Sequence, residues 1–99
     1  MEQSITKYKY TRRISKINQM TITLKYFGSL ADITHLKEEQ FTFDEETISV
    51  SALKSKIESS YQNMENTTYS IAVNQTMSNL QTTIKDQDVI AFLPPFAGG

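Results

Sequence analysis

Hydrophobic and polar residues alternate from Met20, with Ile22, Leu24 and Tyr26 on one face and Thr21, Thr23 and Lys25 on the other. That two-residue period predicts a half-buried β-strand. A loop or short helical turn follows Gly28 through "SLADITHLKEE", and "QFTF" then alternates again with Phe41 and Phe43 facing inward, predicting a second strand in a hairpin with the first. The period changes in "DEETISVSALKSKIESSYQNMEN", where Val50, Leu53, Ile57 and Tyr61 recur at spacings of three and four. This predicts a helix from about Val50 to Tyr61, with Ser49 as N-cap and Asp44 to Glu46 just upstream of its positive end. Further on, "YSIAVN" places Tyr69, Ile71 and Val73 on one face of a third strand, and "QTMSNLQTTIKDQ" reads as turn-rich, with a short edge strand around Thr76 to Ser78. The last strand is "DVIAFLPP", with Ile90 and Phe92 inward and Val89, Ala91 and Leu93 outward. Two strands, a helix and two or more further strands predict an α+β domain, a mixed sheet with one main helix on one face.

The end of the chain breaks this pattern. Pro94 and Pro95 cannot donate ladder hydrogen bonds, so the chain is expected to leave the sheet there. A polyproline-like exit stiffens the segment and lowers the entropy lost when it threads a narrow channel. Gly98 and Gly99 carry no side chains, so a partner could close on their backbone and reach the terminal carboxylate. Six residues from Pro94 to Gly99 extend over roughly 20 Å. The organisation expected is therefore a basic leader over 1–19, a folded domain over 20–93 and an extended diglycine tail over 94–99, with the tail as the working part.

Composition narrows the chemistry. The 99 residues, 38% of them hydrophobic, suit one small domain. No apolar run approaches the ~20 residues of a membrane span, and no secretory-type apolar stretch opens the chain, so the expected compartment is the cytoplasm. Cysteine is absent, which removes disulfides, thiolate nucleophiles and cysteine-ligated metals, so any sulfur chemistry must use sulfur that the chain does not encode. Charge is unevenly spread: residues 1–19 hold five basic residues against Glu2, a net of +4, whereas from Met20 onward five lysines face ten carboxylates, a net of −5. The acidic portion lacks the cations that nucleic-acid binding requires. The basic segment is open to reading as a nucleic-acid arm, an address sequence or a floppy leader before an ordinary start at Met20; the leader is the reading adopted.

Sites of other kinds are missing from the sequence. His35 is the lone histidine and reads as a solvated loop residue, with no zinc set to join. No GxSxG elbow occurs, and with Gly28, Gly98 and Gly99 the only glycines there is no phosphate-cradling loop. Glu38, Glu39, Asp44, Glu45 and Glu46 read as a solvated acidic rim, and no metal or cofactor is expected. By elimination the domain has no active site of its own. A free terminal carboxylate is ionised and a feeble electrophile at neutral pH, so accepting sulfur would first require activation, most simply as an acyl-adenylate made from ATP.

The chain from Met20 to Gly99 resembles the small subunits of molybdopterin synthase, ubiquitin-like β-grasp sulfur carriers. The likeness is carried by "LKYFGSLAD", "SVSALKSKI", "IAVNQT" and "DVIAFLPPFAGG", of which the PPxxGG ending is the most specific. The resemblance implies that Gly99 is adenylated by a ubiquitin-activating-type adenylyltransferase and converted to a thiocarboxylate with sulfur from a sulfurtransferase. It is then inserted into the large subunit, which carries the catalytic residues, to donate sulfur to cyclic pyranopterin monophosphate for molybdenum cofactor biosynthesis. It further implies a heterotetramer in which Phe27 and Leu93 face the large subunit and Pro94, Pro95, Phe96, Ala97, Gly98 and Gly99 form the inserted tail. ATP is then used by the activating partner, and this chain binds no cofactor, nucleic acid or membrane. Two departures stand out: "KDQD" replaces the family's common Asp-Gly-Asp, so Gln87 is expected to need a different turn geometry, and Phe96 and Ala97 replace the more frequent Val and Thr. A thiamine-pathway sulfur carrier and a ubiquitin-like modifier conjugated to lysines share the same tail logic and stand as alternatives.

Overall fold

A computed structural model describes residues 19–95. The leader over 1–18 and the tail residues Phe96, Ala97, Gly98 and Gly99 lie outside the described residues. The first strand, β1 (Met20–Tyr26), buries Met20, Ile22, Leu24 and Tyr26 and leaves the intervening residues half-buried, as its alternation predicts. After Gly28 the chain forms a short helix, α1 (Ser29–Thr34), that closes on His35 in the left-handed conformation. Strand β2 (Glu38–Phe43) then returns antiparallel to β1, in register from Met20 opposite Phe43 to Lys25 opposite Glu38.

The main helix, α2 (Val50–Ser60), begins where the sequence places it, and the Ser49 hydroxyl caps it by accepting from the Ala52 N–H at 3.0 Å. It stops one residue short of Tyr61, whose N–H still bonds to the Ile57 carbonyl at 3.0 Å. Val50, Leu53 and Ile57 form its buried stripe. A single 3₁₀ turn over Met64–Asn66 follows and buries Met64.

Strands β4 (Ser70–Val73), β5 (Thr76–Met77) and β7 (Val89–Leu93) complete a five-stranded sheet in the order β2-β1-β7-β4-β5. The β1–β7 pair is parallel and the others are antiparallel, so the sheet is mixed. The central strand, β7, is thus the last of the domain and pairs with the first, β1, by a long-range contact rather than by a hairpin. This is the α+β β-grasp architecture expected from the order of elements.

The segment read as turn-rich needs correction. Besides the edge strand β5 it contains β6 (Thr83–Lys85), which pairs antiparallel with β3 (Thr47–Ser49) just before α2, placing Ile48 opposite Ile84. Ile84 is fully buried in the main core. Three-residue strands are too short to establish a period, so only their pairing reveals them. Ala72 is also buried although it points away from Ile71. It lies between Ala91 and Met77 on the neighbouring strands, where one methyl group is easily covered.

The core joins alternate residues of β1 and β7 to the stripe of α2, with Ile22, Leu24, Leu53, Ile57, Ile90 and Phe92 all without exposed surface. Burial of each such side chain contributes about 1.5–3 kcal/mol relative to leaving it in water. Aromatic rings thicken one end, where Phe92 stacks obliquely on Tyr26 at 5.3 Å and on Tyr69 at 5.7 Å between ring centroids. This packing anchors β7 through Phe92, its penultimate residue.

Candidate functional site: the tail exit

Strand β7 ends at Leu93, opposite Ser70 of β4, and the next residue has no N–H to continue the ladder. On the other side of β7, Tyr26 lies opposite Phe92, and the Phe27 N–H donates to the Phe92 carbonyl at 3.2 Å. Phe27, just past the end of β1, and Leu93, the last residue of β7, therefore follow the Tyr26–Phe92 pair on two parallel segments, on the face away from those buried rings. Phe27 is 45% exposed and Leu93 half-buried. Pro94 is half-buried and Pro95 exposed as the chain leaves the sheet.

Two clefts flank this exit. One, of about 450 Å³, is lined by Ser70, Met77, Leu93, Pro94 and Pro95. The other, of about 490 Å³, includes Lys25, Phe27, Gly28 and Lys37. Met77 is 60% exposed and is a constituent that the sequence does not single out. Its edge strand is two residues long, and which side of the exit it borders follows only from the pairing of β4 with both β5 and β7. An apolar rim of this kind suits the docking of another protein.

The carboxylates are arranged otherwise than as a uniform rim. Glu39 is half-buried, and its Oε2 accepts from the hydroxyls of Tyr26 at 2.6 Å and Tyr61 at 2.7 Å. Glu58 accepts from Lys54 at 2.6 Å and from the Tyr69 hydroxyl at 2.7 Å. Burial, reinforced by the neighbouring Glu39, pushes the Tyr61 phenol up to about 12 and raises Tyr26 further. Burial and Glu58 raise Tyr69 as well. These phenols stay protonated at neutral pH and serve as donors rather than nucleophiles. His35 is an exposed helix cap. Among the described residues, no group of three or more His, Cys, Asp or Glu side chains is placed to hold a metal ion, and no helix is long and apolar enough to cross a membrane.

The motif residues have local structural reasons. In "AVNQ", Asn74 and Gln75 have φ of 51° and 71°, the paired positive values of a tight two-residue hairpin between β4 and β5. The Asn74 side chain then reaches β7: its amide donates to Asp88 Oδ1 at 2.9 Å and its oxygen accepts from the Val89 N–H at 2.9 Å. The "KDQD" turn carries Gln87 at φ 72°, the left-handed conformation for which glycine is the easier residue, so a side chain is held there under strain.

The match to known proteins follows this geometry. The model of the ThiS family matches residues 24–99. No curated relative matches the sequence. Among solved structures, the chain is similar to a putative molybdopterin converting factor, subunit 1, from Pyrococcus furiosus, with a TM-score of 0.71 and 22% identity over 77% of this chain and 98% of that one. It is similar to SAMP1 from Haloferax volcanii, with a TM-score of 0.67 and 15% identity over 80% and 99% of the two chains. At these identities the likeness is one of fold. A complex of subunits 1 and 2 of the molybdopterin-converting factor from Helicobacter pylori contains a chain 31% identical to this one, with a TM-score of 0.50 over 81% of this chain and 100% of that one. With the family match spanning most of its length, the chain belongs to the ThiS family of ubiquitin-like sulfur carriers.

Proposed function

We propose that this protein is the sulfur-carrying small subunit of a molybdopterin synthase. The observation that carries the reading is a strand paired on both sides that passes directly into Pro94 and Pro95 beside an apolar rim, within a family match that runs through Gly99. The identity to the Helicobacter pylori subunit, which is in complex with its subunit 2, favours this pathway over others in the family.

In this reading the Gly99 carboxylate attacks the α-phosphate of ATP on an adenylyltransferase, releasing pyrophosphate and forming an acyl-adenylate. A persulfide on a sulfurtransferase displaces AMP to give an acyl disulfide, and a thiol then cleaves its S–S bond, leaving the thiocarboxylate and a disulfide. The domain then docks through Phe27, Leu93 and their neighbours, and Pro94 to Gly99 enter the large subunit. There the thiocarboxylate sulfur bonds to cyclic pyranopterin monophosphate, and water hydrolyses the resulting thioester, leaving the sulfur on the pterin and restoring the carboxylate. The folded domain supplies placement, and the terminal carbonyl carbon supplies the chemistry.

The test is the intact mass of the full chain after incubation with the adenylyltransferase, ATP and a sulfur source. A gain equal to replacing one oxygen by sulfur, lost on deleting Gly99 with thermal stability unchanged, is expected. Unchanged molybdopterin formation by the protein lacking Gly99 would overturn the reading. A second reading, a protein modifier, is favoured by the fold shared with SAMP1 and would instead give a ladder of larger lysine-linked products. Transfer to a thiazole precursor rather than a pterin would mark a thiamine-pathway carrier.

A further inference from the structure

Gly28 connects β1 to α1 at φ 56° and ψ −132°. This lies outside the left-handed helical well that other residues can visit, so the backbone alone demands glycine. The conformation is fixed from both sides. Phe27 is bonded to Phe92, while the Leu30 N–H donates to the Phe27 carbonyl at 3.1 Å and the Ala31 N–H to the Gly28 carbonyl at 3.0 Å, opening α1. The dihedral angles do not explain what lies against the residue, however. A Cβ on Gly28 would stand 3.0 Å from Pro94 Cγ and 3.9 Å from Pro94 Cβ and Cδ. The pyrrolidine ring therefore rests on bare main chain, in the space a methyl group would take.

We propose that Gly28 is a positioning residue for the tail: it is the seat on which the Pro94 ring fixes the direction in which the chain leaves the sheet. Pro94 is the first residue beyond the last ladder pair, so no backbone hydrogen bond of β7 guides it. Its own φ is locked near −65°, which converts the position of the ring into a direction for the following chain. The distance to be controlled is large, since six residues reach roughly 20 Å and a change of about 15° at the root moves the tip by about 5 Å. The seat thus gives the first element after β1, α1, a role in presenting the terminus, because α1 and Gly28 hold the surface on which Pro94 lies. The significance for sulfur transfer rests on the carrier reading above; the contact itself does not.

The experiment is a double-mutant cycle of Gly28→Ala and Pro94→Ala in the full chain, which cancels the backbone strain that Gly28→Ala introduces with either residue at 94. Because the chain has no cysteine, Ala97→Cys gives a unique attachment point for a nitroxide, and paramagnetic broadening of domain amides reads the tail direction without any activity. With Gly28 and Pro94 present, broadening is expected on one confined set of amides beside the exit. Gly28→Ala should move that set, Pro94→Ala should spread it, and the double variant should match Pro94→Ala alone. In activation assays the KM for the carrier should rise about tenfold or more in each single variant with little change in kcat, again without further loss in the double variant. Additive effects, or a broadening pattern unmoved by Gly28→Ala, would overturn the proposal. Should Gly28→Ala fail to fold, nuclear Overhauser contacts in the parent chain decide: cross-peaks between the Gly28 α-protons and the Pro94 ring protons uphold the seat, and their absence refutes it. If the parent chain gains no sulfur while the broadening pattern behaves as described, the carrier reading fails and the seat stands.

Discussion

The Tyr26 hydroxyl donates to the Glu39 carboxylate at 2.6 Å from a side chain that is only 2% exposed. Tyr61, at the end of α2, donates to the same oxygen, and its ring meets Tyr26 edge-on at 6.1 Å. One carboxylate on β2 therefore fastens β1 and the end of the helix together. Glu39→Ala would leave a buried hydroxyl without its acceptor and should destabilise the domain by about 1.5–3 kcal/mol. Glu39→Gln keeps a neutral acceptor and should cost about half as much. Urea denaturation checks both, as a lowered midpoint at unchanged slope.

The same tyrosines predict loss of stability in alkali. Their folded pKa values lie above the unfolded value of about 10, so their contribution is complete below pH ~10 and is lost as pH rises through the folded values. For Tyr61 that window runs from its ordinary 10.0 to about 12. Ultraviolet titration of a chain starting at Met20 should find all three remaining phenols ionising late, and Tyr61→Phe should remove the earliest of the shifted transitions. On the acid side, Glu58 is held below its ordinary 4.5, chiefly by the hydrogen bond from Lys54. Its contribution is present above that value and falls as pH drops through the folded one; the pair is solvent-exposed enough that Glu58→Gln should flatten the acid limb only slightly.

Asn74 carries both a turn and a tie between strands. Asn74→Ala removes the bonds to Asp88 and Val89 and places a less tolerant residue at φ 51°. The expected cost is about 2 kcal/mol. Asn74→Gly, which accepts the φ but makes neither bond, should recover only part of it in the same denaturation assay.

Gln87→Gly should stabilise the protein. Relief of a left-handed side chain gains about 1–2 kcal/mol, offset by about 0.5–1 kcal/mol of added chain entropy in the unfolded state. The turn is otherwise complete: the Gln87 N–H bonds to the Thr21 carbonyl at 2.8 Å and the Asp88 carboxylate accepts from the Lys85 N–H at 2.8 Å. A thermal midpoint that rises by a few degrees checks it; a fall would show that the glutamine side chain contributes more than its strain costs.

The proposed docking face predicts that Leu93→Glu weakens binding of the large subunit by at least about 2 kcal/mol, as a charge would be buried against an apolar partner. The isolated domain should lose no more than about 1 kcal/mol, because Leu93 is half-buried and faces away from the core. Calorimetry of the complex and thermal unfolding of the free protein separate the two effects.

Local pattern in the sequence determined β1, β2, α2 and β7 to within a residue or two, because each presents enough alternate or heptad-like apolar positions for one face to be distinguished from the other. The stop at Leu93 was equally legible, since proline lacks the ladder N–H whatever surrounds it. Only the tertiary structure decided that Thr47–Ser49 pairs with Thr83–Lys85, that Glu39 is shared by two tyrosines, and that Met77 borders the exit. Each depends on residues far apart in the chain, and no local period encodes such a meeting. Gly28 divides between the two. As a glycine between strand and helix it could be seen to permit a turn, but that its missing side chain makes room for Pro94 follows from the parallel pairing of β1 with β7, which brings residues 28 and 94 to the same edge of the core.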